Sequence, residues 1–163
     1  MTDFELADEI RVRLLGFTNG SKTSRSPVMW PVSLYTGNIE ELSLKPYVLA
    51  PKPIGLRFLL YVDCNGTVFL ENIAQHVFRV DKNHTIEMAS SDGGPITDTV
   101  LDGIFTREKL NSEDKESKTE GELTFVVQDA IRCNGKDLTS FDILERIAFV
   151  NVYSFHIIQL EFS

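Results

Sequence analysis

The spacing of apolar positions changes twice along the chain of 163 residues. Residues 3–15 place apolar side chains at about the repeat of a helix, which predicts a short N-terminal helix. Between residues 47 and 133, short β-rich runs alternate with turn residues, which is typical of strands. Residues 139–153 return to helical spacing and predict a mostly buried helix. Strands joined by hairpins, with few helices, favour an antiparallel-sheet-rich α+β domain.

Turn-forming residues indicate where the strands reverse. Asn65-Gly66 separates the runs LRFLLYV and TVFLEN, and Asn134-Gly135 ends the run LTFVVQDAIRC. Asn-Gly tolerates positive φ angles and is a strong hairpin signal. Lys82-Asn83 predicts another hairpin, between HVFRVD and HTIEMA. Thr36 is predicted to cap a short helix through NIEELS.

Composition excludes several classes of protein. Apolar residues make up 42% of the chain, enough for a packed core. A net charge of −8 disfavours attraction of free nucleic acid to the whole surface, although a local basic cleft stays open. Cys64 and Cys133 have no metal-ligand spacing, so a reducing compartment is the simplest interpretation. An acidic N-terminus and no long apolar run indicate neither signal peptide nor membrane span, which leaves cytosol or nucleus.

Lys52 lies between two prolines at the start of a strand. A lysine attacks phosphorus only as the neutral amine, so burial or a nearby cation must lower its pKa. Arg57, five residues later, would supply that cation or clamp a phosphate. Gly55 would let the backbone pass close to a nucleotide. A rigid, solvated turn is the other interpretation, and K-x-x-G-x-R alone does not decide between them.

A longer series of motifs resembles the guanylyltransferase domain of eukaryotic mRNA capping enzymes, over about residues 25–150. That family carries, in order, a PVS element, a KPY element, the nucleophile motif K-x-D-G-x-R, an L-D-G-E motif and an aromatic-x-x-x-D strand. The matching positions here are Pro31-Val32-Ser33, Lys45-Pro46-Tyr47, Lys52 to Arg57, Leu101 to Ile104, and Phe125 to Ala130.

The resemblance implies a covalent nucleotidyltransferase fold of the ATP-grasp-like or ligase type. It implies that Lys52 attacks the α-phosphate of GTP, forms a lysine–GMP intermediate and passes GMP to the 5′-diphosphate end of RNA. Mg²⁺ or Mn²⁺ would offset phosphate charge, with no protein ligand assigned to the ion. The implied nucleotide-binding residues are Arg57, Gly55, Phe125, Asp102 and Asp129, with Phe125 the candidate for stacking guanine.

The resemblance also implies a setting and a division of the chain. The protein is expected in the nucleus, with a partner in the capping machinery or RNA polymerase II, and with no membrane. We expect an N-terminal helix and polar loop over residues 1–24. A partial guanylyltransferase-like domain would follow over residues 25–153, and a tail over residues 154–163.

Two departures leave three interpretations open. Ile54 and Ile104 stand where the family's motifs have carboxylates, and losing two polar contacts typically costs a few kcal/mol. After residue 136 we find no counterpart of the family's lysine-rich strand, and we expect no OB-fold. The chain is then an impaired guanylyltransferase, or a non-catalytic scaffold like that accompanying a cap-specific mRNA methyltransferase. The third interpretation is a fragment or splice product.

Overall fold

The computed structural model describes residues 3–17, 32–50, 52–80, 86–90, 94–107, 123–151 and 153–157, with backbone alone for 3, 86–90, 151 and 153–157. The helices are α1 (Asp3–Gly16), α2 (Glu41–Leu44) and α3 (Ile143–Asn151). The strands are β1 (Leu56–Val62), β2 (Val68–Asn72), β3 (Val77–Arg79), β4 (Ile86–Ser90), β5 (Thr99–Thr106), β6 (Thr124–Cys133), β7 (Lys136–Asp137) and β8 (Tyr153–Ile157).

Six of the strands form one sheet in the order β3-β2-β1-β5-β6-β7, and every neighbouring pair is antiparallel. β4 and β8 form a separate antiparallel pair. The predicted α+β class with a sheet-rich body and few helices is confirmed.

Both Asn-Gly hairpins are confirmed. Gly66 has a φ of 78° in the β1–β2 turn, where Asp63 Oδ1 accepts hydrogen bonds from the backbone N–H of Asn65 and Thr67, each at 2.8 Å. Asn134 and Gly135 have φ angles of 45° and 79° in the β6–β7 turn. Asparagine and glycine adopt this left-handed conformation at lower cost than other residues, so they fix the position of each turn.

The hairpin predicted around Lys82-Asn83 is wrong. Those two residues lie outside the described part of the chain, but the strands on either side of them pair elsewhere. β3 pairs with β2, whereas β4 pairs with β8, with Ile86 opposite Ile157. A partner so distant along the chain leaves no local turn signal in the sequence.

The boundaries of two predicted helices also need correction. Thr36 does not cap α2, because the N-cap residue is Glu40, which makes no side-chain cap bond. α3 begins at Ile143, where Asp142 and Glu145 exchange reciprocal bonds between backbone N–H and carboxylate, a capping box. It ends at Asn151, and Tyr153 already belongs to β8.

The sheet buries both of its faces. On one face, Ile10 and Leu14 of α1 pack against a cluster that includes Leu59 and Tyr61. On the other, a cluster around Leu60 includes Val150 of α3. We refer to these as the α1 face and the α3 face. Phe4, at the start of α1, is 86% exposed.

We expect Ile10→Ala to lower the free energy of unfolding by about 2–5 kcal/mol, because truncating a buried aliphatic chain leaves a cavity. Ile10 is 2% exposed, whereas Val12 on the same helix is 71% exposed. Val12→Ala is the matched control and should change stability by no more than about 0.5 kcal/mol. Urea unfolding followed by circular dichroism measures both, and equal effects would show that α1 does not dock as described.

Glu71 of β2 is a buried carboxylate on the α1 face, opposite Leu59 of β1. Burial raises the pKa of Glu71 above its ordinary value of 4.5, and the charge of Arg11 opposes the shift only in part. A raised pKa means that the folded chain holds this proton more tightly than the unfolded chain does. Glu71 therefore favours folding at acidic pH, and that contribution is lost as pH rises from about 4.5 through the folded-state pKa.

Replacing Glu71 by glutamine removes this ionisation. We expect Glu71→Gln to gain stability relative to the native chain as pH rises, so that its free energy of unfolding minus that of the native chain is larger at pH 7 than at pH 4. Urea unfolding at a series of pH values checks this, with Glu40→Gln at an exposed position as control. A difference between variant and native chain that does not change with pH would contradict the assigned burial of this carboxylate.

Candidate functional site

The segment before β1 is fastened to the end of β5. Thr106 Oγ1 donates a hydrogen bond to the carbonyl oxygen of Ile54 at 2.7 Å. Pro53 is buried and Lys52 is exposed, and Lys52 makes no hydrogen bond or ion pair with the described residues. The lysine thus stands in solvent on a segment whose backbone is held to the sheet.

Gly55 lies where backbone packs directly on backbone. A Cβ atom at this position would overlap the carbonyl oxygen of Phe105 and crowd the side chain of Ile104. The structure therefore gives a packing reason for glycine here. The close approach of a nucleotide to Gly55 stays a prediction.

Arg57 and Asp102 form a two-point ion pair across β1 and β5. Arg57 Nε donates to Asp102 Oδ1 at 2.8 Å and Nη2 donates to Oδ2 at 2.5 Å. The Asp102 side chain is only 5% exposed and that of Arg57 25%. The hydrogen bond to Asp102 raises the pKa of Arg57, burial opposes this, and the charges of Asp102 and Asp129 add to it. The guanidinium is therefore held in its charged form, with a fixed orientation.

Asp129 lies opposite Asp102 on the neighbouring strand β6 and has an arginine of its own. Arg146 of α3 donates from Nε to Asp129 Oδ1 at 2.7 Å and from Nη2 to Oδ2 at 3.0 Å. Arg146 Nη1 also donates to the carbonyl oxygen of Phe141 at 2.6 Å. We call these four side chains, Arg57, Asp102, Asp129 and Arg146, the paired-charge cluster.

Phe125 lies away from this cluster. Its side chain belongs to the core cluster on the α3 face, where its ring centroid is 4.8 Å from that of Phe105. Alternation along β1 places Arg57 on the same face as Leu59, which is the α1 face. The structure brings Arg57, Asp102 and Asp129 together but does not bring Phe125 to them. Its role in stacking guanine stays a prediction.

The carboxylates of the cluster do not fit a metal ion held by the protein. Both oxygens of Asp102 and both of Asp129 already accept hydrogen bonds from an arginine. Within the described ranges, no three His, Cys, Asp or Glu side chains lie close enough together to hold an ion.

Sequence reasoning missed two contributors to this region. Arg146 could have been predicted from the sequence, because its helix has apolar neighbours that pack on the core. A partly buried arginine on such a helix needs a carboxylate as its partner. Thr106 carried none, because its bond to the Ile54 carbonyl follows from strand register alone.

The comparison with protein families decides what kind of domain this is. The family model described as mRNA capping enzyme, catalytic domain, matches residues 6–159. The chain belongs to this family. The "mRNA-capping enzyme subunit alpha" of Yarrowia lipolytica is 29% identical over 136 residues, which is 80% of this chain and 33% of that protein. The "mRNA-capping enzyme" of Caenorhabditis elegans is 29% identical over 76 residues, 47% of this chain and 12% of that protein.

This capping-enzyme family domain thus spans a third or less of those two relatives. Its departures from the expected motifs differ in their setting. Ile54 is 80% exposed, whereas Ile104 is 3% exposed and lies opposite Arg57 in the β1–β5 pair. A carboxylate at position 104 would therefore face Arg57, and here a hydrocarbon does. The described helices include none long and apolar enough to cross a bilayer.

We expect Gly55→Ala to lower the free energy of unfolding by about 1–3 kcal/mol, because the added methyl group must displace the backbone of β5. Gly16→Ala is the control, since a Cβ atom at Gly16 would meet nothing within 4 Å. Urea or thermal unfolding measures both. If Gly55→Ala left the free energy of unfolding unchanged, the segment carrying Lys52 would not be packed on β5.

Proposed function

We propose that this domain acts in mRNA 5′ capping as a guanylyltransferase, with Lys52 as the nucleophile. The observation that carries the proposal is the combination, within six residues, of a solvent-exposed lysine and a half-buried guanidinium at Arg57 whose orientation is fixed by Asp102. The segment between them is fixed to β5 at Ile54 and Gly55. The family match over residues 6–159 supports the same assignment.

The proposed reaction has two transfers. The neutral amine of Lys52 attacks the α-phosphorus of GTP, a P–N bond forms, the bond to the β-phosphate oxygen breaks, and pyrophosphate leaves while the amine proton passes to solvent. An oxygen of the RNA 5′-diphosphate then attacks the same phosphorus, and the P–N bond breaks to return the lysine. Arg57 supplies positive charge beside the segment that carries Lys52, where it would contact the ribose or the RNA end.

The substrate is written as the Mg²⁺ or Mn²⁺ complex of GTP, with the ion carried on the phosphates. This follows from the chemistry of the cluster, whose two carboxylates are occupied by Arg57 and Arg146. We place the domain in the nucleus, where capping takes place, with a partner in the capping machinery or RNA polymerase II.

A second candidate function is that of a non-catalytic scaffold. Two observations favour it: the side chains of Ile54 and Ile104 offer no hydrogen-bond acceptor where the family's motifs have carboxylates, and both aspartates of the cluster already form internal ion pairs. A scaffold keeps the fold and binds a partner without transferring GMP. The same experiment separates the two functions.

Incubation with α-phosphate-labelled GTP and Mg²⁺ or Mn²⁺ should give a protein-bound label that survives denaturation, is released by acid and resists alkali. Lys52→Ala should abolish it, because no other described lysine stands on this segment. Lys136→Ala is the matched control, since Lys136 is exposed on β7 and packs on the rings of Phe141 and Phe149 instead. Label that persists in Lys52→Ala contradicts the assignment of the nucleophile.

A gain of label in Ile54→Asp gives a complementary test. Position 54 is 80% exposed, so a carboxylate there is tolerated by the fold. We expect labelling to rise by about tenfold or more, since a hydrogen-bonding partner in a site typically contributes 1–3 kcal/mol. No label in the native chain and none in Ile54→Asp, with both folded, would favour the scaffold.

A further inference from the structure

Two like charges face each other at the centre of the paired-charge cluster. Asp102 and Asp129 are register partners across β5 and β6, in a short stretch with an irregularity of the ladder on either side. Directly opposed residues of an antiparallel pair bring their side chains to within about 4.5–5.5 Å at Cβ, and like charges there destabilise the sheet. The repulsion between Asp102 and Asp129 must therefore be offset by nearby positive charge.

Two arginines offset this repulsion, one on each aspartate. Arg57 holds Asp102 through Nε and Nη2, and Arg146 holds Asp129 through the same two atoms. The two pairs are similarly enclosed, with side chains 25% and 5% exposed in the first and 17% and 28% in the second. Each arginine neutralises one carboxylate, so the cluster as a whole carries no net charge.

We propose that Arg146 is a positioning residue for Arg57, acting through Asp129. The charge of Asp129 already reaches Arg57 and favours its ionised form. With Arg146 removed, Asp129 becomes an uncompensated carboxylate beside Asp102. It then repels Asp102 and competes with it for the Arg57 guanidinium. Arg146 prevents this exchange and keeps Arg57 in the two-point geometry on Asp102.

This arrangement couples helix α3 to strand β1, which follows the candidate nucleophile Lys52. Arg146 also donates to the Phe141 carbonyl, which ties its guanidinium to the chain just before α3. The position of α3 on β6 thereby sets the charge that Arg57 experiences on β1, two strands away. The effect on nucleotide binding rests on the function proposed above, whereas the coupling of Arg146 to Arg57 does not.

The primary test is therefore the Nε–H NMR signal of Arg57, which reports its hydrogen bond without any nucleotide. We expect Arg146→Gln to shift this signal and speed its exchange with water. Asp129→Asn should leave it near the native position, because the competing charge is gone. The double variant Arg146→Gln/Asp129→Asn should restore it, although the bond from Arg146 to Phe141 remains lost. A role confined to holding α3 in place predicts no such rescue.

Arg132→Gln is the matched control. Arg132 pairs with Asp98 at 2.6 Å and lies on the same strand as Asp129, with side chains 23% and 30% exposed. It should lower the melting temperature but leave the Arg57 signal in place. Arg146→Lys keeps the charge without the two-point geometry and provides a second variant should Arg146→Gln fail to fold. It should shift the Arg57 signal less than glutamine does.

GTP titration of the same variants gives the functional consequence. We expect the dissociation constant to rise by about tenfold in Arg146→Gln and to return towards the native value in the double variant, a coupling of the size common between contacting residues. An unchanged Arg57 signal in Arg146→Gln, or a double variant that stays as perturbed as the single one, overturns the inference. A rescued signal in a chain that binds no GTP upholds the coupling and overturns the proposed function instead.

Discussion

The pairing of β1 with β5 is the constraint on which the rest of the candidate site depends. Their register places Leu59 opposite Asp102, so that Arg57, one pleat away on the same face, reaches the carboxylate with both of its donors. Continued beyond Leu56, the same alignment brings Gly55 against the Phe105 carbonyl. A shift of one residue would turn Arg57 to the opposite face of the sheet. The ion pair and the backbone contact thus fix the same register independently.

The local elements of this fold could be predicted from the sequence, and its distant pairings could not. The N-terminal helix and the two Asn-Gly turns follow from periodicity and from the φ angles that these residues tolerate. The β4–β8 pair joins segments about seventy residues apart, and no nearby turn marks it. The start of α3 was missed for a different reason: it depends on a local reciprocal bond between Asp142 and Glu145 rather than on the first apolar residue.

The candidate site divides in the same way. Motif resemblance selected Arg57, Asp102 and Asp129, and the structure gathers all three into one cluster. It did not assign Arg146 to the site, because a helix residue that follows Asp129 by 17 positions becomes its partner only through tertiary packing. Phe125 lies apart from this cluster, and its role in stacking guanine stays a prediction. An aromatic residue near a motif aspartate was assigned to a ligand, while its ring packs in the core on the other face of the sheet.

The glycine at position 55 bears on how the K-x-x-G-x-R pattern should be understood. The resemblance relates its positions to the nucleotide, including the glycine. Here the glycine is required by the close packing of its backbone on β5, and this contact fixes the chain between Lys52 and Arg57. Insertion or deletion of one residue on either side of it would change the reach of Lys52 from the sheet while leaving every motif residue present. The spacing between Lys52 and Arg57 is in this sense set by the packing of their segment on β5, before any ligand enters.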